Sequence, residues 1–158
     1  NDINSDLITC YRTVRDNVYE LIPALQDIQA RYYALQDMEA KREMFMAVRQ
    51  RYNEKNLDPI ENTTKFFFLN RTCFNGLYRV NKKGLFNVPC GKYMQPQICD
   101  EDTLRADSEL LKRVVKRLYF VRKAKHCSIS IHHIVRLVTL QVLMTIQKKR
   151  STMSHKFD

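Results

Sequence analysis

From Gly76 onward the hydrophobic period of this chain changes. Before it, apolar residues recur at helical spacing. Ile3, Leu7, Tyr11, Val14, Val18, Leu21 and Ile22 form one stripe, and a second includes Leu35, Met38, Met44, Phe45 and Val48. After it, Leu77, Arg79 and Asn81 alternate with Tyr78 and Val80. Asn81-Lys82-Lys83-Gly84 supplies a turn, and Leu85-Phe86-Asn87-Val88 returns. Residues two apart on a strand share a face, so this pattern predicts a β-hairpin with Leu77, Arg79 and Asn81 on one side. The expected architecture is a mostly α-helical chain with one β-hairpin.

Helix boundaries are marked by their capping chemistry. Asn4 or Ser5 can cap the first helix, and Pro23 either interrupts it or begins the next segment. A polar loop, Asn53–Asn56, follows the second stripe. In Asp58-Pro59-Ile60-Glu61 the Asp can cap, the Pro suits a first turn, and the Glu can reach back to the cap's N–H. That helix should run through Phe66, Phe67, Leu69 and Asn70. Asp102 and Thr103 offer caps for a last helix through Leu104, Leu110, Leu111 and Val114.

The net charge of +10 is unevenly distributed. Residues 1–110 hold 15 Lys+Arg against 16 Asp+Glu, or −1, and residues 111–158 hold 12 against 1, or +11. All four histidines lie in that second stretch, and no glycine or proline does. The high isoelectric point therefore does not make the first 110 residues a general basic binder of nucleic acid. No uninterrupted apolar run is long enough to predict a transmembrane helix, and the polar start NDINSDL is not a signal peptide. The five cysteines, Cys10, Cys73, Cys90, Cys99 and Cys127, include no CxxC pair, so reduced thiols are expected rather than zinc or a disulfide framework. His132-His133 does not make a metal site, because adjacent histidines on a helix point apart and no carboxylate or cysteine set accompanies them. A cytoplasmic protein with no metal and no membrane partner is expected.

The stretch Leu69–Tyr93, LNRTCFNGLYRVNKKGLFNVPCGKY, resembles the DNA-recognition hairpin of Dam-type (D12 class) adenine-specific N6 DNA methyltransferases. The opening Asn1–Tyr11, NDINSDLITCY, resembles the segment that follows the glycine-rich S-adenosylmethionine loop in the same family. The resemblance implies a doubly wound, Rossmann-like α/β catalytic fold carrying a helical target-recognition domain with one hairpin. It places a remnant of the cofactor domain at 1–22, the recognition domain at 23–98 with its reading hairpin at 75–95, and a return to the catalytic domain at 99–126. It implies S-adenosylmethionine as cofactor, with Asp2 in contact with it. Without the resemblance, Asp2 reads as a helix cap. Double-stranded DNA is the implied partner, with a cognate restriction endonuclease as a further association.

The same resemblance assigns the hairpin's roles. A two-stranded ribbon fits the major groove, and Arg79 matches the guanine-reading arginine. Leu77 and Asn81 share its face. Asn75 and Phe74 match the Asn and the aromatic wedge at the hairpin's base, beside the adenine that must leave the stack before its amine can react. Lys92 and Tyr93 belong to a segment expected to touch phosphates. Read alone, Phe74 suits a core position after a helix, and Lys82 and Lys83 suit a solvated turn. Cys90 and Lys92 depart from the motif, standing where an aromatic and an arginine are common.

No Asp-Pro-Pro-Tyr, the family's catalytic motif, occurs in the 158 residues. The expectation is therefore a truncated methyltransferase, inactive alone, with no catalytic residue of its own. At Ser130-Ile131-His132-His133-Ile134, silent codon choices permit GAT CCA CCA TAT in another frame, which spells that motif. A frameshift between about Val115 and Cys127 would make 127–158 an out-of-frame tail and would explain its charge, its histidines and its lack of glycine. The competing expectation is a genuine basic amphipathic segment that binds a membrane surface or nucleic acid. Sequencing the encoding DNA decides between them. A shifted frame reading Asp-Pro-Pro-Tyr is expected, and codons unable to spell it would leave the tail a real segment.

Overall fold

In the computed structural model the described residues are 5–124, with side chains to residue 115. The chain divides into two compact units, Asn1–Lys112 and Arg113–Asp158. Most of the second lies outside the described residues, as do Asp2 and the proposed out-of-frame tail. Five helices are described: α1 (Ser5–Asp16), α2 (Val18–Ala34), α3 (Met38–Asn53), α4 (Pro59–Thr72) and α5 (Glu101–Ala124). No helix among them is long and apolar enough to cross a membrane.

α4 is the centre of the first unit, packing against α1, α2 and α3. Its Phe68 and Leu69 are sealed, and the Phe68 ring meets Tyr32 of α2 edge-on with centroids 5.6 Å apart. Leu21, Leu25 and Ile28 of α2, with Phe45 and Tyr52 of α3, complete the core. Burying one such side chain contributes about 1.5–3 kcal/mol. Thr13 of α1 donates to the Pro59 carbonyl across the α1–α4 contact (3.3 Å).

Two helix starts differ from the pattern expected of their residues. Asp58 caps α4, accepting from the N–H groups of Ile60 and Glu61 at 2.9 and 3.0 Å. Glu61 does not reach back to complete a capping box. It turns instead to Arg51 and Lys65, each at 3.1 Å, because two cations compete better for a carboxylate than one neutral N–H. Asp100, rather than Asp102 or Thr103, opens α5, accepting from the Thr103 N–H at 3.1 Å. Pro23 does not end a helix. The break falls at Asn17 (φ −125°, ψ 30°), and Pro23 rides inside α2. The carbonyl that Pro23 leaves unpartnered belongs to Tyr19, which is largely exposed, so water can satisfy it.

The α2–α3 connection is closed by a buried charge. Lys41, 1 % exposed, donates to the carbonyls of Tyr32 (2.7 Å) and Leu35 (2.5 Å), and its ammonium sits 4.6 Å from the Tyr32 ring centroid. A cation is favoured where a helix presents its last carbonyls. Lys41→Met keeps the volume but strands both carbonyls. It should cost about 2–4 kcal/mol, read as a lower urea midpoint at unchanged slope.

Candidate nucleic-acid interface

Residues 72–91 fold back on themselves, but they do not form the expected two-stranded hairpin. Only two isolated antiparallel bridges occur among them, Cys73 with Cys90 and Val80 with Phe86. The Asn87 carbonyl, which a continued ladder would pair with the Arg79 N–H, accepts from Arg79 Nη2 instead (3.3 Å), and α3 holds the outer edge of the return arm. Asn53, at the end of α3, donates its amide to the Phe86 carbonyl (3.0 Å) and accepts from the Phe86 N–H (2.8 Å). Arg49 donates to the Val88 carbonyl (3.3 Å). Side chains of α3 thus do part of what a neighbouring strand would do, and the return arm is held to the helix. Asn87 N–H to Arg79 O (3.2 Å) and Asn81 N–H to Leu85 O (2.9 Å) join the two arms.

The tip is closed by Asn81. Its Oδ1 accepts from the N–H groups of Lys83 (2.9 Å) and Leu85 (3.1 Å), and Gly84 sits at φ +74°. A short polar side chain that bonds its own turn in this way is a common turn-former. Asn81 was expected beside Arg79 on a reading face. Its oxygen is committed to the turn, so a ligand would meet its amide nitrogen.

The base is built by two left-handed residues, Asn75 (φ +51°) and Gly76 (φ +57°), after a 3-10 turn begins at Phe74. Asn tolerates this region better than most residues, and Gly pays no steric cost there. The reversal turns Phe74 and Leu77 outward, each 51 % exposed. Phe74 is therefore not a core residue. Gly91 closes the other foot, its N–H on the Thr72 carbonyl at 2.8 Å. A Cβ there would lie 2.9 Å from the Cys73 carbonyl and 2.6 Å from the Tyr93 ring, so no side chain fits without movement. Lys92 and Tyr93 follow, exposed, and the Tyr93 carbonyl accepts from the Tyr32 hydroxyl at 2.8 Å.

Arg79 lies on the exposed side of the loop. Its Nε donates to Asn87 Oδ1 at 2.9 Å and its Nη2 to the Asn87 carbonyl at 3.3 Å. A guanidinium carries five N–H donors in a fixed plane, and Asn87 orients that plane with two of them. The opposite side of the same arm faces inward. Tyr78 stacks at a tilt between Phe66 and Phe86, with centroids 5.5 and 5.9 Å away.

Beneath the Tyr78 arm is an anionic hub that the sequence pattern does not reveal. Asp6 Oδ2 accepts from Tyr52 (2.8 Å), Lys55 (2.7 Å) and Tyr78 (3.5 Å). Burial, then the bond to Asp6, pushes the Tyr52 hydroxyl far above its ordinary pKa. Lys55 adopts φ +57° to reach Asp6, and its ammonium lies 4.7 Å from the Tyr52 ring centroid. One carboxylate thereby joins α1, the end of α3 and the arm that carries Arg79. The sequence signals alternation on the arm, but it does not show which distant side chain meets which backbone atom.

The loop's own charged residues have one sign. From residue 62 to residue 99 the chain carries Lys65, Arg71, Arg79, Lys82, Lys83 and Lys92 and no Asp or Glu. A cationic loop with an oriented guanidinium and exposed apolar wedges is suited to a polyanion with stacked bases. Among the described residues no His/Cys/Asp/Glu group could hold a metal ion.

Residues 1–125 match the D12 class N6 adenine-specific DNA methyltransferases, and the chain belongs to that family. Among its relatives is the type II methyltransferase M.MjaIII of Methanocaldococcus jannaschii, 45 % identical over 116 residues, which cover 72 % of this chain and 40 % of that protein. The type II methyltransferase M1.LlaDCHI of Lactococcus lactis subsp. cremoris is 37 % identical over 114 residues, 70 % of this chain and 37 % of that one. The DNA adenine methylase of Escherichia coli K12 is 38 % identical over 95 residues, 60 % of this chain and 32 % of that one. The matched part spans well under half the length of these relatives.

Asn53→Ala should release the return arm. The expected outcome is a loss of about 1–3 kcal/mol in stability and much faster hydrogen exchange at the Phe86 amide, while amides inside α4 keep their relative protection.

Proposed function

We propose that this chain is the DNA-recognising part of a site-specific adenine methyltransferase. The whole reaction is methyl transfer from S-adenosylmethionine to adenine N6 in duplex DNA, and this chain does not carry it out by itself. The observation that carries the reading is Arg79, oriented by Asn87 on the outer side of an acid-free loop, in a chain of this family. In the proposal Arg79 reads guanine from the major groove. Leu77 and the amide nitrogen of Asn81 lie beside it, Phe74 wedges into the duplex near the extruded adenine with Asn75 at the same foot, and Lys92 and Tyr93 meet the backbone.

The cofactor belongs to the same proposal through Asp2, which lies outside the described residues. The described residues supply the DNA side of the reaction, and no transfer step is assigned to them. When bound, S-adenosylmethionine would supply the methyl group, and catalysis would be chiefly the positioning of two reactants. Residues 1–22 and 99–126 are proposed as parts of the cofactor-binding domain and 23–98 as the recognition domain. The family match ends at residue 125, which supports reading 127–158 as foreign to it. A cytoplasmic setting, with a restriction endonuclease as companion, completes the proposal.

Binding to short duplexes, followed by fluorescence anisotropy at several salt concentrations, tests this. The chain should bind with salt-dependent affinity. Arg79→Ala should lose about 1–3 kcal/mol of guanine preference. Sequence-indifferent binding unaltered by Arg79→Ala would sink the reading and point to the basic residues after 110. No labelled methyl should pass from S-adenosylmethionine to these duplexes with the chain alone.

A further inference from the structure

The two feet of the reading loop meet at a pair of cysteines. Cys73 and Cys90 are bridge partners in antiparallel register. The bonds Phe74 N–H to Pro89 O (2.9 Å) and Gly91 N–H to Thr72 O (2.8 Å) flank the pair on either side. That pattern makes Cys73 and Cys90 a non-hydrogen-bonded pair, the position where facing residues come closest, with Cα atoms roughly 4.5 Å apart and both side chains on the same side. Disulfides accept Cα separations of about 4.4–6.8 Å, so the backbone already stands within range.

Both residues are thiols in the structure. Cys73 Sγ points to the carbonyls of Leu77 (3.3 Å) and Asn70 (3.6 Å), and Cys90 Sγ to that of Gly91 (3.3 Å). Each bond is weak, so it opposes little a turn of the two side chains toward each other. Cys73 is buried, whereas Cys90 is half-exposed and reachable.

We propose that Cys73 and Cys90 form a redox modification site, closing into a disulfide across the base of the loop when a small disulfide oxidant such as oxidised glutathione is present. The Cys90 thiolate attacks one sulfur of the oxidant, breaking its S–S bond and releasing one glutathione thiolate. The Cys73 thiolate then attacks the Cys90 sulfur of the mixed disulfide and releases the second. Two protein thiols are oxidised, one small disulfide is reduced to two thiols, and the two protons lost from the cysteines end on the two glutathiones. Burial raises the Cys90 pKa while Arg42 and Arg49 oppose it, so the first step speeds up as pH rises.

The test is to incubate the native chain with oxidised glutathione, block remaining thiols with iodoacetamide, and map the digest by mass spectrometry. A peptide pair joined through Cys73 and Cys90, lighter by two hydrogens and separated again by dithiothreitol, is the expected dominant product. Cys99→Ser and Cys127→Ser variants should still yield it. A chain that ends alkylated at both positions, that carries glutathione on Cys90 without closing the ring, or that pairs Cys90 with another cysteine would overturn the proposal. The wild-type map decides the matter without relying on the folding of a variant. Loss of guanine-dependent DNA binding by the reduced chain would bear on the DNA-reading role and leave this site untouched.

Discussion

The loop of residues 72–91 depends on one side chain, Asn53. Its amide offers Phe86 both a donor and an acceptor, as the backbone of a neighbouring strand would. Around that grip the rest of the loop settles. The Phe86 ring meets Tyr52 edge-on and packs against Tyr78, and Tyr78 in turn leans on Phe66. The arm that carries Arg79 is therefore positioned from below by aromatic contacts and from the side by a helix terminus. A two-stranded hairpin by itself is marginal in water. The loop of residues 72–91, with only two isolated bridges, is supported by helices instead of by further strands.

The same device continues along the chain. Tyr32 and Tyr33 bond the carbonyls of Tyr93 and Pro96, and Gln29 Oε1 accepts from the N–H groups of both Ile98 and Cys99. α2 thus holds the irregular segment leading away from the loop. Long polar side chains on helices satisfy backbone groups that a sheet would otherwise pair, which is how a chain with so little regular β-structure meets the demand that buried amides find partners.

Much of this was legible in the sequence, for reasons that differ by element. Asp58-Pro59 marks a helix start because both residues act locally, and α4 begins there. The alternation after Gly76 reports correctly that Tyr78 and its two neighbours point to opposite sides. The two-stranded ladder was not legible as broken, because alternation does not show that the Asn87 carbonyl bonds the Arg79 side chain, and the helix residues that hold the return arm's outer edge, Asn53 and Arg49, are more than thirty residues from the atoms they grip. Asn53 reads locally as the start of a polar loop. Pro23 misleads for the opposite reason: helix breaking is a local tendency, and packing of Leu21, Ile22 and Leu25 into the core overrides it. Nothing near Asp6 in sequence announces that Tyr52, Lys55 and Tyr78 will converge on it.

Polar side chains of α2 and α3 grip the loop and the segment that leaves it by main-chain atoms: the N–H and carbonyl of Phe86, the carbonyls of Val88, Tyr93 and Pro96, and the N–H groups of Ile98 and Cys99. Main-chain atoms are the same whatever the side chain. Apart from Asn81, whose own side chain closes the turn, residues on the outer face can therefore be exchanged without loosening the scaffold that presents them. A fold fastened in this way separates the shape of the loop from the chemistry of its outer face, so that chemistry can vary while the loop stays in place.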